Sequence, residues 1–214
     1  MPDLPSTLAG PVDHELVVKK SRFLAHVAPV RDAEDADAVV ARIRKEFWDA
    51  RHHCVAMVLG PQADRQRSTD DGEPSGTAGV PMLEVLRHRH LTDVVAVVTR
   101  YFGGVLLGAG GLVRAYSGAV AEALDRARLL RRALATEVTL DVPHTDAGRL
   151  DHLLRDWCAS HGAVLAETAY ADVARFTLLV PPAELSRLHD DVAAASSGRL
   201  EPVLGTSRVV DVPA

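Results

Sequence analysis

The stretch VVAVVTRYFGGVLLGAGGLVRAYSG, residues 94–118, passes from a β-branched run through a glycine-rich loop into a helical pattern. The run from Asp93 to Tyr101, with its Val-Val-Ala-Val-Val core, predicts a buried strand. Leu112, Tyr116, Ala119, Val120, Ala123 and Ala127 recur on one stripe and predict an amphipathic helix. Between them lie Gly103, Gly104, Gly108, Gly110 and Gly111. Glycine lets backbone N–H groups approach a ligand closely, and the helix that follows aims its unpaired N–H groups and positive dipole end at the same point. The loop therefore suits an anion or an acidic backbone; tight packing of the loop against the sheet is the alternative. Arg100 and Arg114 bracket it and can hold phosphate or pair with carboxylates. Tyr101 and Phe102 can stack on a base or belong to the core.

About thirty residues upstream, Ser68 to Pro81 reads STDDGEPSGTAGVP. Asp70, Asp71 and Glu73 can turn toward one hard cation such as magnesium, or simply form a solvated acidic turn. Ser75, Gly76 and Thr77 constrain the turn, and Ser75 or Thr77 can cap the helix that holds Met82. The expected arrangement joins the acidic turn and the glycine loop around one solvent-reachable pocket. His52, His53 and Cys54 suggest an activated thiolate, yet alternation puts His53 and Cys54 on opposite faces of a strand, so Cys54 reads as a small core residue. No catalytic residue, resident metal or cofactor is assigned.

Working outward, Glu15 to Val30 predicts two short strands bent at Lys19, Lys20, Ser21 and Arg22. Asp32 and Asp35 open a helix with Val39, Val40, Ile43 and Phe47 on one face. His52 to Gly60 is a strand, and Pro81 sits in the first turn of a short helix. Arginines from Arg126 to Arg132 suit the C-terminal end of the helix after the glycine loop. From Thr136 onward the pattern is strand, helix, hairpin, helix, strand: TEVTLDVP, a helix through Leu150, Leu154 and Trp157 stopped by Gly162, AVLAETAYA and ARFTLLVP, a helix from Pro182 to Gly198, and Val203 to Val212. That order is the ferredoxin-like βαββαβ arrangement. The fold class is α+β, with domains at residues 1–135 and 136–214.

Charge is uneven. Residues 1–135 carry 18 Lys and Arg against 17 Asp and Glu, whereas residues 136–214 carry 6 against 12. An overall charge of −5 argues against tight nonspecific DNA binding, and aromatics at 4% leave little area for a stacking platform, so nucleic-acid contact falls mainly on the backbone. MPDLPSTLAG has no signal pattern and no stretch reaches the length of a membrane span, so a cytoplasmic protein without a membrane partner is expected. Cys54 and Cys158 match no metal or disulfide spacing and read as reduced thiols.

KKSRF at Lys19–Phe23, HHCVA at His52–Ala56, DDGEPSGTAGVP at Asp70–Pro81, and RYFGG with LGAGGLVRAY between Arg100 and Tyr116 resemble the IMPACT/YigZ family, bacterial type. The resemblance implies an N-terminal fold similar to the second domain of ribosomal protein S-five, and a C-terminal domain similar to the last domain of elongation factor G. The family usually places a lysine between FGG and LG, where this chain has Leu106. The domain added in eukaryotic members finds no room in residues 1–14, so its partner is not carried over. The function implied is that of a translation-associated binding protein contacting RNA, the ribosome or a protein partner through the N-terminal cleft. The competing reading is an enzyme acting on a phosphorylated small molecule or nucleotide at the same cleft, although no GxxxxGK[ST] occurs.

Overall fold

Lys19 and Lys20 both adopt the left-handed conformation, with φ of 45° and 67°, and so form a two-residue reversal of the kind that matches strand twist. The computed structural model describes residues 4–213. After a short β1 (Thr7–Leu8), this reversal joins β2 (Val12–Val18) to β3 (Ser21–Pro29). Helix α1 (Ala33–Glu46) follows, its first turn capped by Asp32, whose carboxylate accepts from the Asp35 N–H at 2.9 Å. Then come β4 (His52–Leu59), β5 (Arg65–Thr69), α2 (Gly79–His88), β6 (Val94–Tyr101) and α3 (Ala109–Leu124). The sheet order is β2-β3-β6-β4-β5, with every neighbouring pair antiparallel.

The valine run at 94–98 is central because both faces of β6 are covered. Val94, Ala96 and Val98 pack with Cys54, Met82, Leu86, Tyr116 and Val120 beneath α2 and α3, while Val95 and Val97 pack with Ala36 and Ile43 of α1. A strand buried on both sides has no polar alternation to show, which is why the run is continuous. Strand β5, sequence RQRST, was not foreseen: it is an exposed edge paired to β4 through Val55↔Thr69 to Leu59↔Arg65, and it buries too little to be apolar.

The second unit comprises Ala133–Val210; residues from Asp211 return to the first. It contains most of β7 (Leu129–Val142), then α4 (His144–His161), β8 (Val164–Tyr170), β9 (Ala174–Val180), α5 (Leu185–Ser196) and most of β10 (Val203–Pro213). β7 pairs β9 and β10, and β9 pairs β8. Spatial order 10-7-9-8 is that of a ferredoxin-like sheet, its core built from Val138, Leu140, Leu150, Leu154, Phe176 and Leu178. Gly162, at φ 64°, ends α4 as expected. The fold is thus α+β, an N-terminal unit of an antiparallel sheet with helices on both faces followed by a ferredoxin-like unit.

One expectation is corrected here. Helix α3 ends at Leu124, and Arg131 and Arg132 lie on β7, which begins at Leu129 because Leu129 and Leu130 pair with Leu8 and Thr7. Arg132 is held by Asp93 at 2.7 Å and Asp211 at 3.1 Å, so it is a structural ion pair and not a helix-end charge.

Candidate functional site

The acidic turn and the glycine loop do not join around a solvent-reachable pocket as expected; the turn is tied by a buried contact to the strand and the helix on either side of the loop. Glu73 and Arg100 are each 8% exposed, and one Glu73 oxygen accepts from Arg100 Nη1 at 2.6 Å and from the Tyr116 hydroxyl at 2.7 Å. Arg100 comes from β6 and Tyr116 from α3, so one carboxylate ties the turn to the strand and helix that flank the glycine loop. The guanidinium stacks near Phe23 and Phe102, its carbon 5.4 and 5.7 Å from the ring centroids. Arg100 Nε is buried without a hydrogen-bond partner. Burial, first, and the neighbouring Cys54 and Glu73 raise the Tyr116 hydroxyl pKa, which keeps it a donor.

Asp70 replaces Ser75 and Thr77 as the cap of α2. Its carboxylate accepts from the N–H groups of Gly76 at 2.7 Å, Ala78 at 3.0 Å and Gly79 at 2.8 Å, whereas Ala78 at the cap position offers no side-chain bond. Thr77 donates instead to the Pro74 carbonyl at 2.6 Å and is buried, while Ser75 and Gly76 are exposed on the turn. Asp71 accepts from the His53 N–H at 2.6 Å and from Arg44 at 2.7 Å. The three carboxylates therefore serve three separate sets of structural partners and do not turn toward one cation. Among the described residues no group of three or more His, Cys, Asp or Glu is placed to hold a metal.

Burial pushes the Asp70 carboxyl pKa up, and the backbone bonds from Gly76, Gly79 and Ala78 more than offset it, leaving it lowered. Asp71 is likewise raised by burial and lowered further by the His53 N–H and Arg44. A folded pKa below the unfolded value means these carboxylates contribute stability above roughly pH 4 that is lost as pH falls through their folded values. Asp70→Ala is expected to cost about 2 kcal/mol by uncapping α2 and stranding buried donors. It also flattens the acid limb of stability, measured by urea unfolding at a series of pH values. An unchanged acid limb would contradict the capping role.

Cys54 is fully buried, donates to the Asp70 carbonyl at 3.0 Å, and burial pushes its thiol up to about 12. That thiol is a core residue and not an activated nucleophile. His53, on the other face, has its Nδ1 3.0 Å from the Thr99 hydroxyl, and burial lowers its pKa.

The glycines of the loop differ in what requires them. A Cβ on Gly103 would lie 2.0 Å from the Lys20 carbonyl carbon and 2.2 Å from the Ser21 nitrogen, so this glycine seats the β2–β3 turn against the loop. Its N–H donates to the Ser21 hydroxyl at 3.1 Å. Gly104 and Gly108 have φ of 83° and 72°. Gly110 and Gly111 stand in the first turn of α3, and a Cβ on Gly110 would meet only Arg114 Nη1 at 3.7 Å. No local packing requires Gly110. Gly111 and Arg114 border a hollow of about 140 Å³ with Lys19 and Leu107.

On the other side of the loop, Phe102 and Leu106 line a pocket of about 390 Å³ with Tyr101, Arg100 and residues 49–52. The Tyr101 hydroxyl donates to Asp49 at 2.7 Å and so braces the loop after α1 to the end of β6. Tyr101 is half-buried, and Phe102 is 57% exposed, which places its ring on the surface and not in the core. Leu106, where the family places a lysine, is 83% exposed; Arg51 and Trp48, the latter 81% exposed, lie outside any motif and give no sequence signal. Exposure of a large apolar ring at a helix end has no periodic signature.

Comparison with known proteins bears on both units. Residues 19–124 match the Impact N-terminal domain, and residues 140–199 match a domain of unknown function, DUF1949. IMPACT family member YvyE of Bacillus subtilis is 40% identical over 87% of this chain and 84% of its own length. IMPACT family member YigZ of Escherichia coli is 39% identical, covering 90% of this chain and 94% of the relative. A crystal structure titled as that of a hypothetical protein superposes with a TM-score of 0.60 at 36% identity, over 95% of this chain and 98% of the other. With motifs, two-unit architecture and near-full-length likeness in agreement, the chain belongs to the IMPACT family.

Proposed function

We propose that the chain is a translation-associated binding protein whose N-terminal unit holds RNA phosphates between the β2–β3 turn and the start of α3. The observation that carries this reading is the pair Lys19 and Lys20. Both occupy left-handed positions where Asn-Gly is the low-strain choice, and neither joins an ion pair within the described residues. Strain retained at such a turn, with the lysines seated beside the glycine loop by Gly103, is the pattern of a functional contact. Arg114 and the first-turn N–H groups of α3 extend the same cationic surface. The near-neutral first half of the chain limits the contact to a few phosphates, as suits structured RNA or a ribosomal surface more than nonspecific DNA.

Membership of the IMPACT family supplies the translational setting. The enzyme reading is not favoured, because Asp70, Asp71 and Glu73 are all engaged internally. Replacing both lysines, Lys19→Asn with Lys20→Gly, separates binding from folding. Relief of the turn raises unfolding free energy by about 1 kcal/mol. Loss of two phosphate contacts weakens single-stranded RNA binding and lowers the slope of log affinity against log salt by about 1.4. Fluorescence anisotropy across a salt series measures the slope. An unchanged slope and affinity would remove the lysines from the contact.

A further inference from the structure

The pocket beside the glycine loop has features that a phosphate contact does not require. Phe102 and Leu106 line it yet remain 57% and 83% exposed, and Trp48, next in the chain to the lining residue Asp49, is 81% exposed. Large apolar groups left in water around a concave surface mark an interaction site. The Asp49–Tyr101 bond braces two of its walls before any ligand arrives. A volume of about 390 Å³ is within the range of small-ligand pockets. Arg51 lines the pocket, is exposed and joins no ion pair within the described residues, so a cation stands ready beside the aromatic rim.

We infer that this pocket takes one unpaired base of a single-stranded or looped RNA, stacked against Phe102 with its phosphate on Arg51. The inference rests on the RNA reading above and narrows it. A flat aromatic occupant answers the exposed ring, and the negative charge it carries answers Arg51; an aliphatic protein segment would answer only the first. A base within a duplex presents no free π-face, so the pocket selects unpaired nucleotides.

The test uses the full chain with a short single-stranded RNA, the same strand annealed to its complement, and the same strand made abasic. Phe102→Ala is expected to weaken the single strand about tenfold, the scale of one lost base stack. Duplex affinity and the salt slope stay unchanged, and the melting point falls only slightly, because Phe102 is surface-exposed and gives the Arg100 guanidinium one of its two ring contacts. The abasic strand binds wild type as weakly as the normal strand binds Phe102→Ala. If Phe102→Ala and abasic substitution change nothing while the double lysine replacement still weakens binding, the base pocket is overturned and the RNA reading stands. Equal weakening on single strand and duplex also overturns it. If no RNA binds wild type even at low salt, both readings fall.

Discussion

Arg100→Met is expected to destabilise the N-terminal unit by about 3–5 kcal/mol, the cost of leaving one member of a buried ion pair uncompensated. Glu73 would keep only the Tyr116 hydroxyl, inside a site where its side chain is 4% exposed. The carboxylate would have to take up a proton or draw in water, and either response loosens the acidic turn from β6 and α3. Adding Glu73→Gln to Arg100→Met removes the stranded charge, so the double variant is more stable than Arg100→Met alone. Urea unfolding read through hydrogen exchange of β6 and α3 amides reports this unit separately from the ferredoxin-like one. A loss under about 1 kcal/mol for Arg100→Met would mean that the pair is not the clamp described here.

Gly103→Ala is expected to be nearly as damaging, at about 3 kcal/mol or more, because the added methyl meets backbone on every side. Its neighbours would be the Lys20 carbonyl carbon and oxygen and the Ser21 nitrogen, at 2.0, 2.3 and 2.2 Å, and none of these is the end of a flexible side chain. The β2–β3 turn must move away from the glycine loop, so under the proposed function RNA affinity falls along with stability. Gly104→Ala provides the contrast. Nothing lies within 4 Å of its Cβ position, so its cost is the left-handed backbone alone, about 1–2 kcal/mol. Thermal melts of the two variants check the order, and equal losses would contradict the close-packing role of Gly103.

Much of the fold was legible because burial leaves periodic traces. The valine run of β6, the Asp32 cap of α1, the stripe of α3 and the glycine stop of α4 each follow from local chemistry that tertiary packing did not override. The strands that escaped notice, β1 and β5, are short or polar, and the early start of β7 depends on pairing with a segment more than a hundred residues away. The site was legible by position and less so by role. Asp70, Asp71 and Glu73 were singled out as a possible cation cluster, and their residue types allow it. Only the coordinates show Asp70 capping α2, Asp71 held by Arg44 and His53, and Glu73 spent on Arg100 and Tyr116. Likewise Arg100 and Arg114 look equivalent in sequence, but one is buried structure and the other exposed surface. The lysine turn is legible as a bend, whereas its left-handed backbone exists only in three dimensions.

The most direct measurement is a photo-crosslinking map of the full chain with single-stranded, thiouridine-bearing RNA, read by mass spectrometry of the adducts. The account predicts adducts within Lys19–Arg22, at Trp48, and across Tyr101–Arg114. Adducts confined to Ala133–Val210, or none at a salt concentration where affinity is measurable, would contradict it.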